Sequence, residues 1–243
     1  MVKTIATVVC GMLLVGATNA SAQGITWTDK AFVNFSLGFQ PKSQDVKTDA
    51  PPKPLYDETA TTHFEHKIDG GGMWDLTGGY FVHKNIGAAV SFSGRSTESD
   101  ATFTSSVPNP AIFDQPRAVT GTVPGLKYSE NWFAILGVYA IPVTDKVDVF
   151  LLGGPAVATV KEDVLVDATY AEGASGPVVT PRVENHKKSF WGAQFGVDVR
   201  YLFTKNIGAG MFLRGSTASG TLVGDVKPEP GGFQIGFGVR ARF

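Results

Sequence analysis

Apolar and polar residues alternate one for one along several stretches of the chain. Between positions 191 and 201, Trp191, Ala193, Phe195, Val197, Val199 and Tyr201 are apolar, while Gln194, Asp198 and Arg200 are polar and Gly192 and Gly196 fill the gaps. A period of two predicts a β-strand with two unlike faces. The last segment repeats the pattern, with Phe233, Ile235, Phe237, Val239, Ala241 and Phe243 on one side and Gln234, Arg240, Arg242 and glycines on the other. Trp74, Leu76 and Tyr80 alternate in the same way with Asp75, Thr77 and Gly79. Residues 126–142 and 147–161 are apolar at both parities, so their faces stay unassigned.

A repeat organises the strands. Tyr80-Phe81-Val82-His83-Lys84-Asn85-Ile86-Gly87-Ala88 and Tyr201-Leu202-Phe203-Thr204-Lys205-Asn206-Ile207-Gly208-Ala209 share Tyr, Lys, Asn, Ile, Gly and Ala at one spacing. Each reads as strand end, tight turn and strand start. Residues 139–147 form a looser third copy with Asp145-Lys146 at the turn. Polar, Pro-containing connections run over 41–66, 97–125, 162–187 and 221–231. Eight strands are therefore expected near 29–40, 66–82, 86–97, 126–142, 147–161, 187–203, 207–220 and 231–243. Short turns on one side and four long connections on the other describe an all-β, eight-stranded antiparallel up-and-down barrel crossing an outer membrane. In hydrocarbon an open sheet edge is intolerable, so Phe32–Phe39 should pair with Phe233–Phe243.

Composition agrees with this picture. Glycine numbers 29 and phenylalanine 17 in 243 residues, against about 7% glycine in ordinary chains. Lys3, the apolar run 5–17 and the small-residue site Ala20-Ser21-Ala22 read as a secretory signal over 1–22, leaving the barrel domain at 23–243. Cys10, the single cysteine, leaves with the signal unless it is lipid-modified, and Val9 fits a lipobox poorly. After residue 22 no apolar run approaches the roughly 18 residues of a spanning helix. A net charge of −1 with interspersed signs offers no face to nucleic acid.

On the strength of Lys-Asn-Ile-Gly-Ala at 84–88 and 205–209, the glycine-rich alternating strands and the closing Phe243, the chain resembles the small outer-membrane β-barrel family, the opacity-protein, OmpA-like and OmpX-like group. The resemblance implies location in the bacterial outer membrane. It leaves activity open, since such barrels include adhesins, anchors, narrow channels and lipid-modifying enzymes. Phe243, with Phe237 and Val239 on its own face, resembles the C-terminal insertion signal read by the outer-membrane assembly machinery.

Several site residues follow from the alternation. Eight strands enclose a lumen that their own side chains can fill. Asp75, Gln194, Asp198, Arg200, Arg214, Gln234, Arg240 and Arg242, with Asn34, are expected to point inward as a pairing polar network, with Asp198, Arg200, Arg240 and Arg242 towards the periplasmic end. Trp74, Tyr80, Trp132, Trp191 and Tyr201 are candidates for the interfacial aromatic girdles. The expected role is structural or cell-surface interaction, in adhesion or envelope integrity, with the lumen plugged. A narrow channel for small or hydrophobic solutes is the alternative, and a periplasmic lipid-binding barrel is a weaker third. Expected partners are outer-membrane lipids and lipopolysaccharide, through rim lysines such as Lys67, Lys187 and Lys188, and a surface ligand on the loops.

Candidate chemistry is sparse. His186 with Ser189 and Glu184 is the nearest approach to a nucleophile pair, and His63, Glu65 and His66 to a metal site in a solvated loop. Neither matches an enzyme or metal signature, so no catalytic residue, metal or cofactor is expected.

Overall fold

The computed structural model describes residues 29–224 and 226–243, so the expected signal over 1–22 lies outside the described residues. The strands are β1 (Ala31–Gln40), β2 (Gln44–Asp49), β3 (Lys53–Leu55), β4 (Glu58–Ile68), β5 (Gly71–His83), β6 (Ile86–Val107), β7 (Arg117–Pro142), β8 (Val147–Gly173), β9 (Gly176–Leu202), β10 (Ile207–Ala218) and β11 (Gly231–Arg242). Eight of them close an antiparallel ring in the order β1-β5-β6-β7-β8-β9-β10-β11, and β11 returns to β1. The closing seam runs from Phe32 opposite Arg242 to Phe39 opposite Ile235, which pairs the first and last strands as the edge argument requires.

Alternation becomes two surfaces. Phe35, Leu37, Phe92, Ile135, Leu151, Phe195, Phe237 and Val239 all point outward and are exposed, forming the band that meets lipid. The lumen of the same strands is lined by polar groups on β1, β5, β9, β10 and β11. Over 134–140 of β7 and 150–158 of β8 it is lined instead by Leu136, Val138, Ala140, Phe150, Ala156 and Ala158, packed with Phe32 and Phe81. That division explains why 126–142 and 147–161 are apolar at both parities: their outer face meets lipid and their inner face builds the apolar half of the lumen.

The two copies of the turn repeat are tight hairpins joining β5 to β6 and β9 to β10. Gly87 and Gly208 sit where a Cβ would collide with the carbonyl oxygens of Tyr80 and Tyr201, so the shared glycine follows from the approach of the paired strands.

The long connections differ from expectation. Most of 97–125 and 162–187 is strand, since β6–β7 and β8–β9 continue as hairpins well past the lipid band. Within 41–66, β2 and β4 pair antiparallel and β4 pairs with the upper part of β6. β10 ends at Ala218 and β11 begins at Gly231, so the wall above the membrane is a six-stranded sheet, β2-β4-β6-β7-β8-β9. It curls until β2 and β3 meet β8, with Thr48 Oγ1 of β2 donating to Leu165 O (3.2 Å) and Lys53 Nζ of β3 held 2.8 Å from Asp167. Ala50, Phe64, Ala101, Phe103, Leu126, Leu165 and Ala168 form a second core inside the curl. Both faces of these strands see either water or a small core, which weakens the hydrophobic contrast that a period reading depends on.

One substitution probes ring closure. Gly238 faces the lumen at the β1–β11 seam, and a Cβ there would overlap Phe35 O with Ser36 Cα only 2.6 Å away. Gly238→Val should therefore block closure, read as loss of the heat-modifiable folded band on a gel. A full folded fraction would refute the seam geometry.

Candidate functional site

The lumen is filled by ion pairs in three tiers. At the periplasmic end, Asp198 accepts from Arg200 Nε at 2.9 Å and Arg240 Nε at 3.0 Å, and Arg240 Nη1 donates to Ser36 Oγ at 2.8 Å. The Arg200 guanidinium lies 3.3 Å from the ring centre of Phe150 and 4.6 Å from that of Phe32. Phe32, Phe81 and Phe150 contact one another edge to face or tilted, so a charged group and an aromatic cluster share this end. Arg242 pairs with Asp148 at 2.8 Å and Asp29 at 2.9 Å and keeps partial exposure at the rim.

The middle tier is Asp75. It receives Arg214 Nη1 at 2.6 Å, Thr77 Oγ1 at 3.0 Å and Ser91 Oγ at 3.1 Å. Beside it a cavity of about 20 Å³ is lined by Asn34, Asp75, Gln194 and Arg214, which is room for about one water. Gln194 and Asn34 are buried there.

The upper tier centres on Glu130, which sequence reasoning missed. Its carboxylate accepts from Arg95 Nε (3.3 Å), Tyr128 OH (3.0 Å), Trp132 Nε1 (2.6 Å) and Gly231 N (2.9 Å). Gln234 Nε2 donates to Gln40 Oε1 at 2.8 Å, and Gln40 Nε2 to Gly231 O at 2.9 Å. Trp132, expected in a girdle, instead points into the lumen and is 3% exposed. The physical reason is its parity with Glu130 and Tyr128, which gives the indole N–H a buried carboxylate to bond. Tyr128-x-Glu130-x-Trp132, three hydrogen-bonding residues at strand spacing inside an apolar segment, is the signal that could have found this tier. Trp74, Tyr80, Trp191 and Tyr201 lie on the outer face and are exposed.

Together these pairs match five guanidinium groups, of Arg95, Arg200, Arg214, Arg240 and Arg242, with five carboxylates, of Asp29, Asp75, Glu130, Asp148 and Asp198. A buried charge is tolerable only when paired and hydrogen-bonded, and each of these is.

Above this stack sits an exception. Glu162 on β8 is fully buried between Val160 and Val164, and neither carboxylate oxygen has a hydrogen-bond partner. Burial, helped by the neighbouring charge of Asp163, pushes its carboxyl up to about 7. Burial also pushes the Tyr128 phenol upward and holds His66 below the ordinary imidazole range.

The other candidate groups are not assembled. His63 and Glu65 face outward on β4, where His63 pairs with Asp49 and Glu65 with Lys47, while His66 points inward to Ser99 Oγ at 3.0 Å. The segment is strand rather than the solvated loop anticipated. His186 has the inward parity of Phe190, and Ser189 points outward to Thr159 Oγ1 at 2.9 Å, so the two lie on opposite faces of β9. Among the described residues no group of three or more His, Cys, Asp or Glu is placed to hold a metal.

At the extracellular tip three hairpins are tied together. Arg117 grips both oxygens of Glu172, Tyr56 OH donates to the same carboxylate at 3.3 Å, and Asp114 N donates to Glu58 Oε1 at 3.0 Å. Ile112 and Phe113 project from the 108–116 connection and are exposed.

An antiparallel ring with a lipid-ready outer band and an ion-paired lumen defines a transmembrane β-barrel. The chain belongs to the outer membrane protein beta-barrel domain family, whose model matches residues 8–240. Membership places it in the bacterial outer membrane. Among solved structures it is similar to the outer membrane protein OprG from Pseudomonas aeruginosa, at 9% identity and TM-score 0.49 over 89% of this chain and 97% of the other. Neisserial surface protein A (NspA) gives 10% identity and TM-score 0.46 over 88% and 97%. The N-terminal beta-barrel domain of Pseudomonas aeruginosa OprF gives 12% and 0.42 over 88% and 98%. These likenesses are of fold alone. No curated protein matches the chain.

Proposed function

We propose that this protein is a closed outer-membrane barrel that works through its surface, in adhesion or envelope integrity, and not by passing solutes. The observation that carries the reading is the periplasmic tier, where Arg200 lies against Phe150 and Phe32 while Asp198 holds both Arg200 and Arg240. A solute path would have to separate these ions in a narrow lumen, at a cost of several kcal/mol per ion. Support for a surface role comes from the tied tip, where Arg117 and Glu172 hold Ile112 and Phe113 in water ahead of any contact, so that less ordering remains to be done on binding. Phe237, Val239 and Phe243 form an outward strip at the end of β11 and are proposed as the segment that the assembly machinery reads.

Planar-bilayer recording of the purified protein tests the closed lumen. The expected result is a silent membrane with no reproducible open level. Stable conductance that Arg214→Ala alters would overturn the reading in favour of a narrow channel.

A further inference from the structure

Three successive outward cross-strand pairs on β8 and β9 change character in order with height. Val157 faces Trp191, Thr159 faces Ser189 with their hydroxyls 2.9 Å apart, and Lys161 faces Lys187. Trp191 is 79% exposed at the top of the apolar band, and both lysines are exposed. Among the described residues neither ammonium has an ion-pair or hydrogen-bond partner, so two like charges stand directly opposite each other without a contact counter-ion. Such a pair is destabilising unless an anion joins it.

The nearby carboxylates do not contact either ammonium. Asp163, the next outward position on β8, keeps its charge but turns its two oxygens to neutral donors, Lys127 N at 3.0 Å and Asn185 Nδ2 at 2.6 Å. Glu98 lies two strands away on β6, opposite Lys127 of β7 in the register. The rim lysines expected to act with Lys187 are engaged elsewhere: Lys67 lies 3.6 Å from Asp69, and Lys188, of opposite parity, donates to Thr221 O at 2.7 Å.

Height selects the ligand. Four residues along a strand tilted by roughly 45° rise about 9 Å, so the lysine pair stands above the Trp191 level where the polar layer of the outer leaflet lies. We infer that Lys161 and Lys187 bind a phosphate of an outer-leaflet glycolipid, with the Thr159 and Ser189 hydroxyls meeting its sugar and Trp191 the start of its acyl chains. The order apolar, hydroxyl, cation along this column mirrors the order acyl chain, sugar, phosphate in such a lipid. The inference rests on residence in the outer membrane and is independent of whether the lumen conducts.

The test reconstitutes the mature protein in phosphatidylethanolamine nanodiscs containing bisphosphorylated lipid A, its dephosphorylated form, or phosphatidylglycerol. Lipid retained per protein is read by native mass spectrometry, with folding checked by heat-modifiable migration. Wild type should retain the bisphosphorylated lipid, and Lys161→Gln with Lys187→Gln should weaken retention roughly thirtyfold, the combined effect of two membrane-surface lysines. Lys188→Gln should bind as wild type, and the dephosphorylated lipid should bind wild type no better than the double variant binds the phosphorylated one. Retention unchanged in the double variant would overturn the site, as would equal loss in Lys188→Gln. Equal retention of phosphatidylglycerol would also overturn it, by showing a general anionic surface. Bilayer silence is recorded separately, so failure here and failure of the closed-lumen reading are told apart.

Discussion

Asp198→Ala should lower the stability of the folded barrel by about 3–5 kcal/mol, the usual cost of stripping one partner from a buried ion pair. The magnitude follows from what is left behind. Asp198 is the shared acceptor of Arg200 and Arg240, both about 1% exposed, so its removal leaves two guanidinium groups facing each other in an enclosed space. Ser36 Oγ and the Phe35 and Val239 carbonyls still accept from Arg240, while Arg200 keeps the faces of Phe150 and Phe32 and the field of Asp148, which stands opposite it on β8 but gives it no hydrogen bond. Urea unfolding in lipid vesicles measures the effect. Adding Arg240→Met to Asp198→Ala should recover part of the loss, because the double change removes one stranded cation. A midpoint for Asp198→Ala equal to wild type would show that this tier contributes nothing to the barrel.

The second large effect is a pH dependence set by Glu162. Its folded-state carboxyl is raised from 4.5 to about 7, so between those values the native state binds a proton that the unfolded chain releases. Stability from this group is complete below about pH 4.5 and is lost as pH rises through about 7, a decline of about 3 kcal/mol at 1.36 kcal/mol per unit. Glu162→Gln keeps the shape and removes the ionisation. It should leave stability at pH 4 nearly unchanged, raise it at pH 8.5 by up to about 3 kcal/mol, and flatten the slope between. Urea midpoints across that range decide the matter; parallel curves for wild type and variant would mean that the carboxyl finds solvent.

The lipid face was legible wherever hydrocarbon and lumen make opposite demands on neighbouring residues. On β9 and β11 those demands separate Phe195, Val197, Phe237 and Val239 from Gln194, Asp198, Gln234 and Arg240, and the alternation could be read directly. Along most of the intramembrane part of β7 and β8 both demands are apolar, so the faces could not be told apart, Trp132 was placed on the wrong one and Glu130, the hub of the upper tier, went unnoticed. Arg95 lies on the lumen side of β6, opposite in parity to Phe92, and could have been found by the alternation already applied to other strands. Glu162 was hidden differently. It falls in a segment whose polar composition reads as loop, although a lone acid between Val160 and Val164 at strand spacing already marks a carboxylate forced into an apolar row.

By itself, the sequence determined how many times the chain crosses the membrane, which surface meets lipid on the clearly alternating strands, and where the tight turns fall, because each of these is a local preference recorded every second residue. Only the tertiary structure decided who meets whom across the lumen: Arg214 with Asp75, Arg240 with Asp198, Gly231 with Glu130. It also turned the polar connections into a curled sheet with its own core. Those pairings depend on the tilt and stagger with which all eight strands close, a property of the whole ring that no single strand carries.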